Sequence, residues 1–227
     1  KLRSVSMPTG KINGYFRIDR ISLSEQRIFK FYDKLVFDDV KFVSIAQLGR
    51  DIKEKSIIVN GVSKTYAMTG WRIGYAAGPP EIIAAMGKIQ SHTTSNPCSI
   101  SQMAAIKALS GDQSEIKLMK KEYKNRRDLV YHKFNNIHGI SSIKPQGAMN
   151  IFPNISQYLS RNNPNHGIKI NNSLDIAKYI LEKAHVALVP GSAFGNDNHL
   201  RISFSTSLDN LKEAMQRIRN SLNKIYS

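Results

Sequence analysis

The chain has 227 residues, with 33 lysines and arginines against 17 aspartates and glutamates, so its formal net charge at pH 7 is +16. Hydrophobic residues make up 41% of it, which is enough to build the core of one large domain or two small ones. The single cysteine excludes a disulfide framework and any cysteine-based zinc or iron–sulfur site, and the six histidines show no ligand spacing. We therefore expect a folded cytoplasmic protein without a bound metal.

Neither a membrane span nor a secretion signal is expected. No apolar run approaches the roughly 20 residues of a spanning helix, and residues 1–10 carry charge without an apolar stretch or a small-residue cleavage site. The positive charge leaves one alternative open, a basic protein that binds nucleic acid through its phosphates. The basic residues are spread along the whole chain, however, and no recognition motif accompanies them. No specific nucleic-acid partner is therefore expected.

Strands and helices alternate in the first half of the chain. A buried strand is predicted at Ser56–Asn60, where a short apolar run is closed by Gly61. A second strand is predicted at Arg72–Ala77. Helices are predicted at Pro80–Ile89, since proline is well tolerated in a first turn, and at Ser99–Leu109. This alternation is typical of an α/β fold.

A long charged helix is predicted next, at Gln113–Phe134. Its apolar residues Ile116, Met119, Tyr123 and Val130 recur at helical spacing on one side, while most of its lysines lie off that stripe. This arrangement is typical of a helix with one solvated, basic face. Two lobes are expected to meet near residue 125 of this helix.

The second half has shorter elements. The segment Gln157–Asn172, rich in asparagine, glycine and proline, is predicted to be a surface loop. Ser207 is the predicted N-cap of the last helix. Three strands and two helices are predicted around these features: Met149–Phe152, Val186–Val189, His199–Phe204, Leu174–Lys183 and Leu208–Tyr226.

The residues that point to chemistry follow the first buried strand. Lys64 comes directly after that strand, where the loops of an α/β sheet form ligand crevices. A partly desolvated lysine amine is a nucleophile that forms a Schiff base with a carbonyl, and the planar fork of Arg72 suits a phosphate. Both groups are what pyridoxal phosphate requires. On spacing alone a surface lysine is the commoner alternative, with Trp71 and Tyr75 as ordinary core aromatics.

The whole string from Ser63 to Tyr75, Ser-Lys-x-x-x-Met-Thr-Gly-Trp-Arg-x-Gly-Tyr, closely resembles the lysine segment of class I aminotransferases, in particular their bacterial aspartate aminotransferase branch. The resemblance covers nearly everything from residue 32 to 227. Further matching strings lie at Tyr32–Asp39, Ser44–Ala46, Thr94–Gln102, Pro145–Ala148, Val189–Gly195 and Leu200–Ser205.

The resemblance implies a role for four residues. Lys64 would form the internal aldimine with pyridoxal 5'-phosphate and move the proton between the substrate Cα and C4′ of the cofactor. Arg72 would hold the cofactor phosphate, and Tyr32 would hydrogen-bond the phenolic oxygen. Arg201 would bind the substrate α-carboxylate by a bidentate pair. The resemblance also implies a homodimer, because the segment around Ser95 and Asn96 resembles one that reaches toward the other subunit's site.

The chain departs from the family at two positions. The family carries an aspartate three residues before the tyrosine that matches Tyr32, where it pairs with the pyridinium nitrogen; here the residue is Phe29. In a string that resembles the family's Asn-Pro-Thr-Gly turn, Met7 takes the place of the asparagine. Cys98 has no basic partner in sequence and is expected to be a small packed thiol. Roughly the first 180 residues of a typical member have no counterpart in this chain.

We therefore expect the C-terminal part of a fold-type I pyridoxal-phosphate-dependent transferase: the rear of the large α/β domain and the small α+β domain. The expected organisation is a divergent segment at 1–31, a partial large domain at 32–125 and the small domain at 126–227. The implied reaction moves an amino group between an amino acid, expected to be aspartate, and a 2-oxo acid, expected to be 2-oxoglutarate. One alternative is a truncated, inactive remnant, in which the chain alone binds the cofactor weakly or not at all. The other is a basic nucleic-acid-binding protein.

Overall fold

A computed structural model describes residues 32–163 and 168–226, and, as backbone alone, the strands β1 (Lys11–Ile12), β2 (Tyr15–Phe16) and β3 (Gln26–Phe29). The chain divides into two compact units, Lys1–Ile116 and Lys117–Ser227. This division falls earlier than the expected one after residue 125, and the assignment of the two domains stays a prediction. The turn that contains Met7 and the side chain of Phe29 lie outside the described residues.

The first unit contains a mixed three-stranded sheet with the order β3-β4-β5. The central strand β4 (Ser56–Gly61) follows the short helix α1 (Arg50–Glu54) and runs parallel to β3, with Phe29 opposite Val59. The strand β5 (Gly74–Ala77) runs antiparallel to β4 and pairs Gly74 with Gly61. A Cβ at Gly74 would lie only 3.0 Å from the carbonyl oxygen of Asn60, so the close approach of the two strands favours glycine there.

Two helices complete the first unit before the long α4 (Ser114–Asn135) begins. They are α2 (Pro80–Thr93), which begins on the proline as predicted, and α3 (Ser99–Ser110). The core cluster beside α3 is small. It consists of Val62, Met68 and Ala105, with Tyr66, Ile73, Ala104 and Ala108 partly buried against it.

The second unit has its own sheet, with β10 (Leu200–Ser203) between β6 (Asn150–Ile151) and β9 (Val189–Pro190), all antiparallel. The helices α5 (Ser173–Ala184) and α6 (Leu208–Tyr226) belong to the same unit. Their inward residues recur at spacings of three or four, which is why apolar patterning predicts both helices. The buried residues of these helices include Ile176, Ala177, Ile180, Leu211, Met215, Ile218 and Leu222.

Most of the predicted elements are confirmed. The strand predicted at Val186–Val189 is wrong except at Val189, because the described strand β9 begins there, and the strand predicted at Arg72–Ala77 begins only at Gly74. The hydroxyl of Ser207 accepts the backbone N–H of Asn210 at 3.2 Å, as expected of the N-cap. The predicted loop at Gln157–Asn172 is wrong in part, because it contains the antiparallel strands β7 (Arg161–Asn163) and β8 (Ile168–Ile170). None of the helices in the described part of the chain is both long and apolar enough to cross a bilayer.

One cation of the charged helix α4 does not lie on its solvated face. Arg127 is completely buried, and its Nη1 donates to the carbonyl oxygen of Pro145 at 2.7 Å. Its Nε lies 2.8 Å from a carboxylate oxygen of Asp128, which Lys144 also contacts at 3.0 Å. Arg127 therefore has a structural role, because it holds the first residue of the string Pro145–Ala148 by a hydrogen bond. The run of basic residues around it did not indicate this role.

Candidate functional site

The connection from β4 to β5 carries both Lys64 and Arg72. Since Gly61 pairs with Gly74, the two strands hold the ends of this connection together. Val62 and Thr65 are buried and fix the loop, whereas Lys64 is half-buried. Within the described residues, no hydrogen bond or ion pair engages the amine of Lys64. The backbone of Lys64 is therefore held in place by the paired strands and the buried loop residues, and its amine is not engaged by any described residue.

Asp33 joins the segment that carries Tyr32 to the lysine loop. Its two carboxylate oxygens accept hydrogen bonds from Asn60 Nδ2 at 3.3 Å and from Thr65 Oγ1 at 3.4 Å. Tyr32, its chain neighbour, is half-buried. The sequence identified Tyr32 and Lys64 but not Asp33, because only the folded chain brings the carboxylate to the end of β4. Burial, and then the charges of Asp33 and Tyr66, raise the pKa of Tyr75 above its ordinary value.

A second network fixes the other side of the loop. Lys34 Nζ donates to Tyr66 Oη at 3.2 Å and to Gln113 Oε1 at 2.7 Å, while Tyr66 Oη donates to the same Gln113 oxygen at 3.1 Å. The amide nitrogen of Gln113 in turn donates to the carbonyl oxygens of Ala108 and Gly111, at the end of α3. These residues, which the motif search missed, tie the lysine loop to the corner between α3 and α4.

Arg72 has a strained backbone and an exposed side chain. Its φ of 49° lies in the left-handed region, which costs a non-glycine residue about 1 kcal/mol or more. Its Nη1 donates to the carbonyl oxygen of Thr69 at 3.2 Å, which restrains one side of the guanidinium. The adjacent Trp71 and the nearby Tyr75 are exposed, so they are not the core aromatics of the alternative that spacing alone left open.

Arg201 lies in the second unit, on β10, and is half-buried. Its guanidinium carbon lies 4.4 Å from the ring centroid of Phe194. Phe194 meets Phe152 edge to face at 6.1 Å, and Phe152 stacks on His199 at 4.7 Å. Stacking uses the face of a guanidinium and leaves its in-plane N–H donors free. Among the described residues no carboxylate pairs with Arg201. The geometry therefore suits an arginine that receives a carboxylate from outside the chain.

Cys98 is exposed, just before the first turn of α3, so the prediction of a packed thiol is wrong. Hydrogen bonds from the backbone N–H groups of Ser101 and Ile100 lower its pKa. The residue sits in the Thr94–Gln102 string, where the backbone of Ser95 also takes a positive φ of 59°. The helix α3 packs against the local core through its small residues Ala104, Ala105 and Ala108.

The structure thus places Tyr32, Lys64 and Arg72 in the first unit and Arg201 in the second. Lys64 and Arg72 lie on the connection from β4 to β5. Tyr32 is the chain neighbour of Asp33, whose carboxylate accepts a hydrogen bond from Thr65 of that connection. A lysine at the end of a strand that runs parallel to its neighbour, with an arginine on the same loop, places the chain among the α/β proteins whose strand ends carry ligand-binding loops.

The comparisons with known proteins identify which kind. The family model described as aminotransferase class I and II matches residues 30–218. The chain is 46% identical over 194 residues to the probable aspartate/prephenate aminotransferase of Rickettsia typhi, a match that covers 86% of this chain and 48% of that protein. It is also 46% identical over 189 residues to the aspartate aminotransferase of Geobacillus stearothermophilus, covering 83% and 47%. The chain belongs to the class I and II aminotransferase family.

Solved structures agree with this assignment. The crystal structure of the aspartate aminotransferase from Rhizobium meliloti gives a TM-score of 0.83 at 45% identity, covering 87% of this chain and 49% of that one. The aromatic aminotransferase from Pyrococcus horikoshii gives 0.78 at 38% identity, covering 87% and 51%. The expected fold-type I architecture is confirmed. The chain spans about half the length of the relatives it matches and aligns to their C-terminal part.

Enzymes of this family depend on pyridoxal phosphate. The donor set of this chain fits the cofactor in part: Lys64 offers an unengaged amine, Arg72 offers a guanidinium for the phosphate, and Tyr32 offers a phenol. At the position of the acid expected opposite the ring nitrogen the chain has Phe29, whose backbone pairs with Val59.

Proposed function

We propose that this chain is the C-terminal part of an aminotransferase that moves an amino group between an amino acid, best matched by aspartate, and a 2-oxo acid, best matched by 2-oxoglutarate. The observation that carries the proposal is the position of Lys64. The residue is half-buried, its amine is not engaged by any described residue, and the string around it is the one by which the chain resembles its family. The names of the relatives favour aspartate as the amino-group donor.

Each of the four site residues would have a role that its side-chain chemistry suits. Pyridoxal phosphate, when bound, supplies an electron sink that weakens the bonds at the substrate Cα. Lys64 Nζ would hold the cofactor and then carry a proton to and from that carbon. Arg72 would bind the phosphate with the donors that Thr69 leaves free, and Tyr32 would donate to the phenolic oxygen. Arg201 would receive the substrate carboxylate in the plane of its guanidinium while Phe194 supports its face.

One observation favours a second candidate, an inactive chain. Phe29 stands where the acid is expected, and its phenyl ring cannot hold a proton on the ring nitrogen of the cofactor. Under this candidate the chain alone binds the cofactor weakly or not at all and turns over no aspartate. A homodimer and a cytoplasmic location are the further proposals that accompany the family assignment.

Borohydride trapping tests the proposal on the purified chain. The chain is mixed with pyridoxal phosphate at millimolar concentration, reduced, digested and mapped by mass spectrometry. Lys64 should be modified well above Lys88, an exposed lysine of α2 that serves as the matched control. Lys64→Ala should remove the main adduct, and Lys88→Ala should leave it. Equal modification of the two lysines would contradict the proposed role of Lys64, whereas aspartate turnover by the chain alone would contradict the remnant.

A further inference from the structure

Phe194, whose ring contacts the guanidinium of Arg201, lies at the end of a short 3₁₀ helix, Gly191–Phe194. Its side chain is 47% exposed, and the Phe152 ring that it meets edge to face is exposed as well. Little core packing therefore fixes the Phe194 ring, and its position depends on the backbone that carries it. We call residues 191–197 the support loop.

The two ends of the support loop are bonded to each other. The backbone N–H of Gly191 donates to the carbonyl oxygen of His199 at 2.8 Å, and that of Asn196 donates to the carbonyl oxygen of Gly191 at 3.1 Å. A Cβ at Gly191 would collide with the carbonyl oxygens of Asn196 and His199, so this close approach requires glycine. These bonds close the base of the loop, but none of them reaches α5.

One buried side chain attaches the support loop to α5. Ser173, the first residue of that helix, is completely buried. Its Oγ donates to Asp197 Oδ1 at 2.5 Å and accepts the backbone N–H of Ser192 at 3.2 Å. The backbone N–H of Ser173 donates to the same Asp197 oxygen at 3.0 Å. Phe194 lies between Ser192 and Asp197 in the chain, so both sides of the loop are held by one hydroxyl.

Helix capping does not account for these bonds. The N-cap of α5 is Asn172, whose side chain accepts the backbone N–H of Asp175 at 2.9 Å. The hydrogen bonds from the side chain and then the backbone of Ser173 lower the pKa of Asp197, so its carboxylate is ionised at neutral pH. Hydrogen bonds to an ionised acceptor are stronger than those between neutral groups. The contacts of Ser173 therefore serve to hold the loop.

We propose that Ser173 and Asp197 are positioning residues for Arg201. Through the backbone of the support loop they hold the Phe194 ring against the guanidinium. The proposal rests on the proposed function in one respect, the role of Arg201 as the arginine that receives the substrate carboxylate. A bidentate contact with a carboxylate needs the plane of the guanidinium to be fixed, which a ring on its face provides.

The test is the NMR signal of the Arg201 Nε–H in the chain labelled with ¹⁵N-arginine. A ring whose centroid lies 4.4 Å from the guanidinium carbon shifts this signal by its ring current, which depends on geometry and not on stability. Arg201→Gln identifies the signal, and Phe194→Leu should move it to the position without a ring. Ser173→Ala should move it at least about half of that distance, because both links of the loop to α5 are lost.

The matched control is Ser207→Ala. It removes the hydroxyl that caps α6 in the same unit, where Ser207 accepts the backbone N–H of Asn210 at 3.2 Å, and it should leave the signal in place. Asp197→Ala, at an exposed site, should move the signal as Ser173→Ala does and decides the question if that variant does not fold. Asp197→Asn keeps an acceptor oxygen and should move it less. Circular dichroism establishes that each variant is folded.

Three outcomes would overturn the proposal. An unmoved signal in Ser173→Ala and Asp197→Ala would mean that the bonds at the base of the loop hold the ring by themselves. An equal movement in Ser207→Ala would mean a general loosening of the unit, and an unmoved signal in Phe194→Leu would mean that no ring contact exists. Titration with succinate tests the proposed function separately. A saturable shift of the Arg201 signal is expected, and its absence would count against the carboxylate role while the variants still decide what positions Phe194.

Discussion

Replacing Phe194 by leucine should loosen the support of the Arg201 guanidinium. The guanidinium carbon lies 4.4 Å from the ring centroid, well inside the roughly 6 Å range of a cation–π contact. The same ring meets Phe152 edge to face at 6.1 Å. Leucine keeps most of the apolar volume but removes the aromatic face, so the substitution separates packing from the interaction with the charge.

The expected magnitude follows from exposure. Phe194 is 47% exposed, so water screens the contact and the lower range for a cation–π pair applies, about 0.5–1 kcal/mol. Loss of the edge-to-face pair with Phe152 adds about 0.5–1.5 kcal/mol to the total cost. Of these two contributions, only the cation–π contact involves Arg201.

A double-mutant cycle isolates that term. The free energy of unfolding is measured in urea for the unmodified chain, Phe194→Leu, Arg201→Gln and the double variant. The coupling between Phe194 and Arg201 should be about 0.5–1 kcal/mol. A parallel cycle with Phe152→Leu, whose ring contacts Phe194 and His199, should give a smaller coupling to Arg201. A coupling of zero in the first cycle, or equal couplings in both, would refute the reasoning.

Three further predictions concern single side chains. Burial acts to raise the pKa of Asp128, but the hydrogen bond from Lys144 and the neighbouring charges hold it below its ordinary value of 3.8. The stabilisation of the fold by the Asp128 carboxylate is therefore complete above that value and is lost as the pH falls through the lower folded-state pKa. In urea titrations in acid, the free energy of unfolding of Asp128→Asn should depend less steeply on pH. An equally steep dependence in the variant would contradict this. Asn172→Ala should lower the free energy of unfolding by about 1 kcal/mol, because the Asn172 side chain caps α5 by accepting the N–H of Asp175 at 2.9 Å; Asn172→Asp is the control and should cost less. Iodoacetamide should alkylate Cys98 with a pH midpoint below that of the same residue in urea, since unfolding removes the backbone hydrogen bonds that lower its pKa; identical midpoints would count against the described geometry.

The sequence predicted elements well where local signals agree with packing. Pro80 begins α2, the apolar spacing of α6 matches its buried face, and Ser207 caps it. The strand β7 was missed because its three polar residues carry no apolar alternation, and β8 was missed because its Ile-Lys-Ile alternation is only three residues long. Their pairing is a property of the folded unit, and composition alone indicated a loop.

The candidate site shows the same division. The motif identified Lys64 and Arg72 because their string is long and specific. The positions of Asp33 and Gln113, in contrast, depend on contacts across 32 and 47 residues of chain, to Thr65 and Tyr66. Arg127 belongs to a charged helix for which the sequence predicted a solvated basic face, whereas the carbonyl of Pro145, 18 residues away, gives this arginine a buried partner.

The two units differ in how completely each buries its own apolar residues. In the second unit, the inward faces of α5 and α6 are buried, and the strand that carries Arg201 has buried residues at Leu200 and Ile202. In the first unit, α2 has no buried residue and α3 is packed on one side only. Lys64 therefore follows a well-paired strand, in a unit whose helices α2 and α3 bury few of their own residues.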